Sequence, residues 1–333
     1  MNPSAASEPI ETGSIIATGW RLYRTNFARY VLIALKASLW LLLPLFLVSP
    51  ISWLLTAQNA ADYAGLLALL IPILFVLGLL CYAEYLGLST GISRLAYQSL
   101  GRDVGDGAAE TELEALRFTR SRKYSLLWEN ILRGLIFFLA YAVFFVVALI
   151  LVVIAIAVSG SGLADGDPST IFSPVGLAIG LLFAIGTLVF ICFFIWLAMR
   201  LMLADQPLAI EPGSSATQAI KRSWTLVEGN VLRSLLVMIV TYLIVIPVVF
   251  VSSIIGQLIA YQLLNLAIAP PPGETVGSLA EGLPIFIGAA VSGIVSTFGS
   301  AVMLPLWHTM LTALYVQLRS RKDREAVEID VVG

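Results

Sequence analysis

Six long apolar stretches dominate the chain, at about 31–55, 66–93, 134–158, 175–202, 235–259 and 284–315, with most charged positions in the segments between and beside them. A hydrocarbon core about 30 Å thick takes about 20 helical residues to cross, and every stretch is that long. Without water, backbone groups must pair inside a helix or a closed barrel. Barrel strands alternate apolar and polar positions, whereas these runs are continuous. The pattern predicts six transmembrane helices, the second and sixth long enough to tilt or to project past the interface.

The connections differ in kind. TAQNAADYAG, SGSGLADGDPSTIFSP and AIAPPPGETVGSLAEGLP are rich in Gly, Pro and Ser and hold no Lys or Arg. The other two connections are longer and charged, as are both tails. The positive-inside rule then places both termini and the two long connections in the cytoplasm, with Asp62, Asp165, Asp167, Glu274 and Glu281 outside. The acids at 103–114 read as a solvated loop leading into a helix.

One ten-residue line occurs three times: WRLYRTNFAR at 20–29, YSLLWENILR at 124–133 and WTLVEGNVLR at 224–233. Each has an aromatic, then Leu, then Asn at the seventh place and Arg at the tenth, and each precedes an apolar run. This predicts one membrane domain over 1–333, built as three hairpin repeats at about 14–100, 107–205 and 213–322, with flexible tails at 1–13 and 323–333. Each repeat opens with a cytoplasmic amphipathic helix at the interface. In the third, Ser215 and Gln218 fit a capping box, Ala216, Ala219, Ile220, Trp224, Val227 and Val231 form an apolar stripe, and Gly229 can end the helix. Asn230 would cap the following span, and Arg233 would reach lipid phosphate by snorkelling. Asn26 with Arg29 and Asn130 with Arg133 repeat the arrangement. All six are expected as lipid and interface anchors.

Composition narrows the classes. Of 333 residues 59% are apolar and 12% charged, about half the charge of a soluble domain. A net charge of −2 argues against a nucleic-acid partner. Cys81 and Cys192 stand in apolar runs and read as small buried hydrophobes. The opening residues lack the basic and apolar regions of a cleavable signal peptide. One histidine cannot build a multi-histidine metal site, and no nucleophile elbow, Walker loop or dinucleotide fingerprint is present. No catalytic, cofactor or metal residue is therefore assigned.

Two ionisable residues stand out inside apolar spans. Glu84 lies ten residues before Arg94 and His308 eleven before Arg319, so the two share a depth. Glu84 lies on one face with Gly87 and Gly91, a small-xxx-small packing pattern; His308 shares a spacing of four with Ser292, Ser296 and Ser300. Either they pair at a helix interface, or Glu84 is an interfacial acid and His308 an unrelated packed residue.

The stretch RLMLADQPLAIEPGSSATQAIKRSWTLVEGNVLR, residues 200–233, resembles a signature of bacterial membrane proteins similar to the membrane domain of glycerophosphoryl diester phosphodiesterases. Arg200, Leu203, Pro207, Glu211, Ala219, Ser223, Leu226, Gly229 and Arg233 carry it. The resemblance implies a bacterial inner-membrane address and a shared all-α scaffold. It does not bring the soluble, histidine-containing catalytic domain of that family. The expectation is a non-enzymatic module organising membrane lipid or a protein partner on its cytoplasmic face; the alternative is a transporter or channel for a small solute or lipid. Oligomeric state is open.

Overall fold

A computed structural model describes residues 12–56, 64–104, 110–159, 174–268 and 278–332. All regular structure among them is helical. The order is α1 (Thr12–Thr25), α2 (Phe27–Thr56), α3 (Ala64–Val104), α4 (Glu112–Ser121), α5 (Lys123–Ser159), α6 (Pro174–Leu201), α7 (Asp205–Ile210), α8 (Ala216–Val227), α9 (Val231–Ile268) and α10 (Ser278–Val332). Six of these, α2, α3, α5, α6, α9 and α10, are long and apolar enough to cross a membrane. Asp62, Asp165, Asp167 and Glu274 lie outside the described residues, as does the side chain of Glu281.

Local chemistry sets the short helices. Thr111 Oγ1 accepts the Glu114 amide at 3.3 Å while Glu114 returns a bond to the Thr111 amide at 2.8 Å, a capping box that starts α4. Ser215 and Gln218 do the same for α8, at 3.4 and 2.9 Å. Gly213 and Gly229 bracket α8 with φ of +82° and +76°, a region that costs other residues about 1–2 kcal/mol. Gly229→Ala is therefore expected to lose about 1–2 kcal/mol of stability. Gly180→Ala, on α6 where an added Cβ meets nothing within 4 Å, should be neutral or gain up to about 1 kcal/mol. Thermal unfolding of the two variants in detergent checks the contrast.

Two expectations are corrected at the helix boundaries. Residues 124–133 are not a separate interfacial segment: α5 begins at Lys123 and runs straight through Asn130. The segment 323–333 is not a loose tail, since α10 continues to Val332. Its Arg319 and Asp323 pair one turn apart at 3.6 Å, which supports the extension.

The buried core lies at one end of the bundle, where α2, α5 and α9 begin and α3, α6 and α10 finish. Its largest cluster joins Leu203, Ile210, Leu226, Val237, Leu314 and Tyr315 with Ile15. A second joins Tyr30, Ile33 and Ala34 to Ile92 and Leu95. The apolar faces of the short helices are turned into the protein. Gly19 of α1 abuts Met310, and Ala219 of α8 meets Leu86, Leu126 and Leu208. Helix α4 crosses α3 at its glycine face. A Cβ on Gly91 would come within 2.5 Å of Leu116 Cδ2, and one on Gly87 within 3.1 Å of the Arg120 backbone. The small-xxx-small pattern thus serves helix packing.

Helices α5 and α6 are different. Phe144 stacks on Phe190 with centroids 4.0 Å apart, and Phe137 meets Phe194 at 5.0 Å. Yet in their most apolar stretches no residue is buried. Phe138 and Leu188 are each more than 60% exposed.

Candidate functional site: a buried polar end

The site is built around α7. Its Pro207 occupies the first turn, where an amide hydrogen has no helical acceptor. Residues Gln206 to Ile210 are all buried. A short buried helix must find partners for its last carbonyls, and two arginines supply them. Arg94 Nη1 donates to the carbonyls of Ala209 (3.2 Å) and Ile210 (3.3 Å). Arg122 donates to those of Leu208 (2.9 Å), Glu211 (2.7 Å) and Ser214. Ser214 Oγ closes the turn on the Pro207 carbonyl at 3.0 Å.

Most residues of the 200–233 signature now have physical roles. Arg200 Nη1 donates to the Trp224 carbonyl at 2.8 Å, its guanidinium lying 5.0 Å from the Trp224 ring. Ser223 Oγ donates to the Arg200 carbonyl (2.8 Å) and accepts the Leu203 amide (3.2 Å). Glu211 Oε1 accepts from Tyr315 at 2.5 Å and pairs with Arg319 at 3.3 Å. Leu203, Ala219 and Leu226 are core, and Gly229 supplies the positive φ. The signature fastens α6, α7 and α8 to α10.

Beside α7 lies a charged cluster. Arg133 Nη1 faces Asp205 Oδ2 at 3.4 Å, and its Nε stands 3.7 Å from Glu129 Oε1. Arg133 Nη2 donates to Asn130 Oδ1 at 2.6 Å. Asn130 Nδ2 reaches Glu129 Oε2 at 3.1 Å and Asp205 Oδ1 at 3.5 Å, and the Tyr82 hydroxyl donates to Asn130 Oδ1 at 3.3 Å. Two carboxyl groups thus share one guanidinium. Glu129 is fully buried, and its Oε1 has no hydrogen-bond donor among the described residues.

On the other side of α7, Gln206 donates to Ser93 Oγ at 3.3 Å and accepts from Thr312 at 3.2 Å. Ser93 Oγ is 2.9 Å from His308 Nδ1. Ser93 Oγ, with one hydrogen and two lone pairs, thus joins Gln206 to the imidazole. All four side chains are buried.

Of the two alternatives for Glu84 and His308, the pair does not form. Glu84 bonds Arg120 Nε at 2.7 Å and Lys123 Nζ at 2.5 Å. Depth was shared, but rotation was not. Glu84 and Ser93 are nine residues apart on α3, about 900° at about 100° per residue, so they point to opposite sides. Glu84 faces α4 with Gly87 and Gly91; His308 meets the far face.

The six expected anchors are also redistributed. Arg29 does not point to lipid: it pairs with Glu112 at 2.7 Å, tying α2 to α4. Arg133 and Asn130 belong to the buried cluster. Asn26 Nδ2 donates to the Leu22 carbonyl at 3.3 Å. Asn230 does not cap α9 with its side chain; its Oδ1 accepts from Arg321 at 3.1 Å, and its Nδ2 donates to the Glu228 carbonyl. A charge this close to protein acceptors is better satisfied there than by reaching through to a headgroup. Arg233 alone of the six has no hydrogen-bond or ion-pair partner among the described residues.

Three of the acids read as a solvated loop, Glu110, Glu112 and Glu114, have partners, and the side chain of Asp103 lies outside the described residues. Residues 105–109 lie outside the described residues, but Glu110 receives Arg94 through two bonds, 2.6 and 2.8 Å. Those bonds hold the Glu110 carboxyl below the usual carboxylate range. A carboxyl lowered in the folded state contributes stability above its unfolded pKa and loses it as pH falls through the folded value. Acidification below the usual carboxylate range should therefore release α4 from α3. Protection of α4 amides, taken as the exchange rate relative to an unstructured amide at the same pH, should fall down the acid limb in the native chain, with a flatter pH response in Glu110→Gln.

Residues 177–328 match the family described as the membrane domain of glycerophosphoryl diester phosphodiesterase. The match extends the resemblance well beyond the 200–233 signature. It includes α7, α8 and His308, and it is to the membrane domain rather than to a catalytic domain. No curated protein and no solved structure matches the chain. Together with the six apolar helices, the match defines an integral, multi-pass membrane protein.

Glu129, Asp205, Arg94 and Arg122 were missed by sequence reasoning. A signal existed for Glu129. The residue before the repeated asparagine is Thr25, Glu129 or Gly229, so only one copy places an acid there. Asp205 and Gln206 are likewise polar residues inside an otherwise apolar stretch at the end of a span.

Proposed function

We propose that the chain is a non-enzymatic membrane module that organises lipid or a partner protein, built from three repeats of one short and two long helices. In this reading both termini and the buried polar end face the cytoplasm of a bacterial inner membrane. The supporting observation is a division of labour. Many of the charged and patterned side chains are engaged in internal contacts at one end, while α5 and α6 hold out an apolar surface with little internal packing. An anchored end with a projecting apolar pair suits a membrane-embedded adaptor. The matched family is named as one domain of an enzyme, which accords with an accessory role.

Native mass spectrometry of the protein extracted directly into polymer-bounded discs tests this. The expected result is a discrete added mass, lipid or protein, that photo-crosslinks to probes placed at Phe138 and Leu188. A bare chain crosslinked only to bulk lipid would overturn the proposal.

A transporter or channel for a small solute or lipid is favoured by the buried Glu129 with the half-buried Arg133 and Asp205, since ionisable groups inside spans often mark a substrate path. Flux into liposomes that is abolished in folded Asp205→Asn is the result that would establish it over the module.

A further inference from the structure

A cavity of about 410 Å³ opens beside the turn that follows α7. Its volume lies in the range of small-ligand sites. Pro207, Pro212 and Gly213 form an apolar floor, and Glu211, Gln218 and Arg222 a polar rim. The hydrogen-bonding capacity of that rim decides what it can hold. Glu211 already serves Tyr315 and Arg319. Gln218 has spent its Oε1 on the Ser215 amide at 2.9 Å, which leaves its two Nε2 hydrogens. The one ion pair of Arg222 is a long contact, 3.8 Å from Nη2 to Asp323, whose other oxygen faces Arg319. Among the described residues, Nη1 and Nε of Arg222 have no acceptor. Gln218 and Arg222 stand one turn apart on α8, neighbours on one helix face, and both line the cavity. Behind the turn, the Arg122 guanidinium adds positive charge while holding the Glu211 and Ser214 carbonyls.

We propose that this cavity binds the phosphate group of a phosphate ester, held by the Arg222 guanidinium and the Gln218 amide with the organic part against Pro207 and Pro212. A guanidinium with unspent hydrogens beside an amide donor suits a tetrahedral oxyanion. The ester has two possible sources, a phospholipid headgroup or a soluble metabolite. The proposal does not depend on what covers the α5–α6 face.

The test uses the full chain in two formats. In detergent, equilibrium dialysis measures binding of labelled sn-glycerol 3-phosphate and of inorganic phosphate. In discs, native mass spectrometry counts lipid retained from phosphatidylglycerol and from phosphatidylcholine. Saturable binding of the soluble ester, weakened at least about tenfold in Arg222→Ala and unchanged in Lys221→Ala, supports the site with a soluble ligand. Retention of a defined lipid, lost in Arg222→Ala, supports it with a headgroup. Equal binding by wild type and a folded Arg222→Ala overturns the proposal. So does a wild-type chain that binds none of the four probes saturably, an outcome that requires no variant to fold.

Discussion

Arg133→Ala is expected to cost about 3–5 kcal/mol, the usual consequence of stripping the counter-charge from a buried carboxyl, since Glu129 is fully buried and the Asp205 side chain only 17% exposed. Arg133 faces Asp205 at 3.4 Å and Glu129 at 3.7 Å, and no second cation with a bond to either carboxyl is found among the described residues. Removing it leaves two carboxyl groups together in a water-poor environment. The loss should appear as a large fall in folded protein on size exclusion and in the unfolding temperature. The origin of the loss can be isolated. If charge imbalance causes it, Arg133→Ala combined with Glu129→Gln and Asp205→Asn should recover much of the stability, a strong departure from additivity. If the triple variant is no better than Arg133→Ala, the lost packing of the arginine stem is the cause and the electrostatic account is wrong.

Arg122→Ala ranks second, at about 2–4 kcal/mol. One guanidinium serves the carbonyls of Leu208, Glu211 and Ser214. A buried acceptor left without a donor costs about 1–3 kcal/mol, and the three share one donor group, so the costs do not simply sum. Arg122→Lys should recover little, because a compact ammonium cannot span three carbonyls as a planar fork does. The distinguishing measurement is hydrogen exchange at residues 208–216. It should rise in both variants, with α9 amides unaffected. Rapid exchange throughout the chain would mean that Arg122 supports the whole bundle rather than the turn.

The spans were legible because bilayer crossing demands long apolar runs, and a run needs no knowledge of its neighbours. The Ser215–Gln218 box and Gly229 were legible for a similar reason: capping and positive φ are settled within a few residues. What escaped depends on rotation and on distant sequence. The face of α3 that carries Glu84 was identified through Gly87 and Gly91, but its partner, α4, supplies Arg120 from 36 positions away. Arg29 and Arg133 look alike in the repeated line, yet one meets Glu112 and the other Asp205. The line records position within each copy; the three copies have different neighbours, so their side chains diverge. The polar cluster was hidden because Asp205 sits between apolar residues that read as the end of a span.

The burial of α7 also sets an order of assembly. Its environment is drawn from α3 and α5, synthesised earlier, and from α10, synthesised last. Thr312 completes Gln206, and Tyr315 and Arg319 complete Glu211. While the ribosome is still making α9, the 205–215 segment has its arginines but not its final hydroxyl and cation partners. The nascent chain therefore carries a polar segment whose first partners come from α3 and Arg122 and whose remaining ones arrive only with α10.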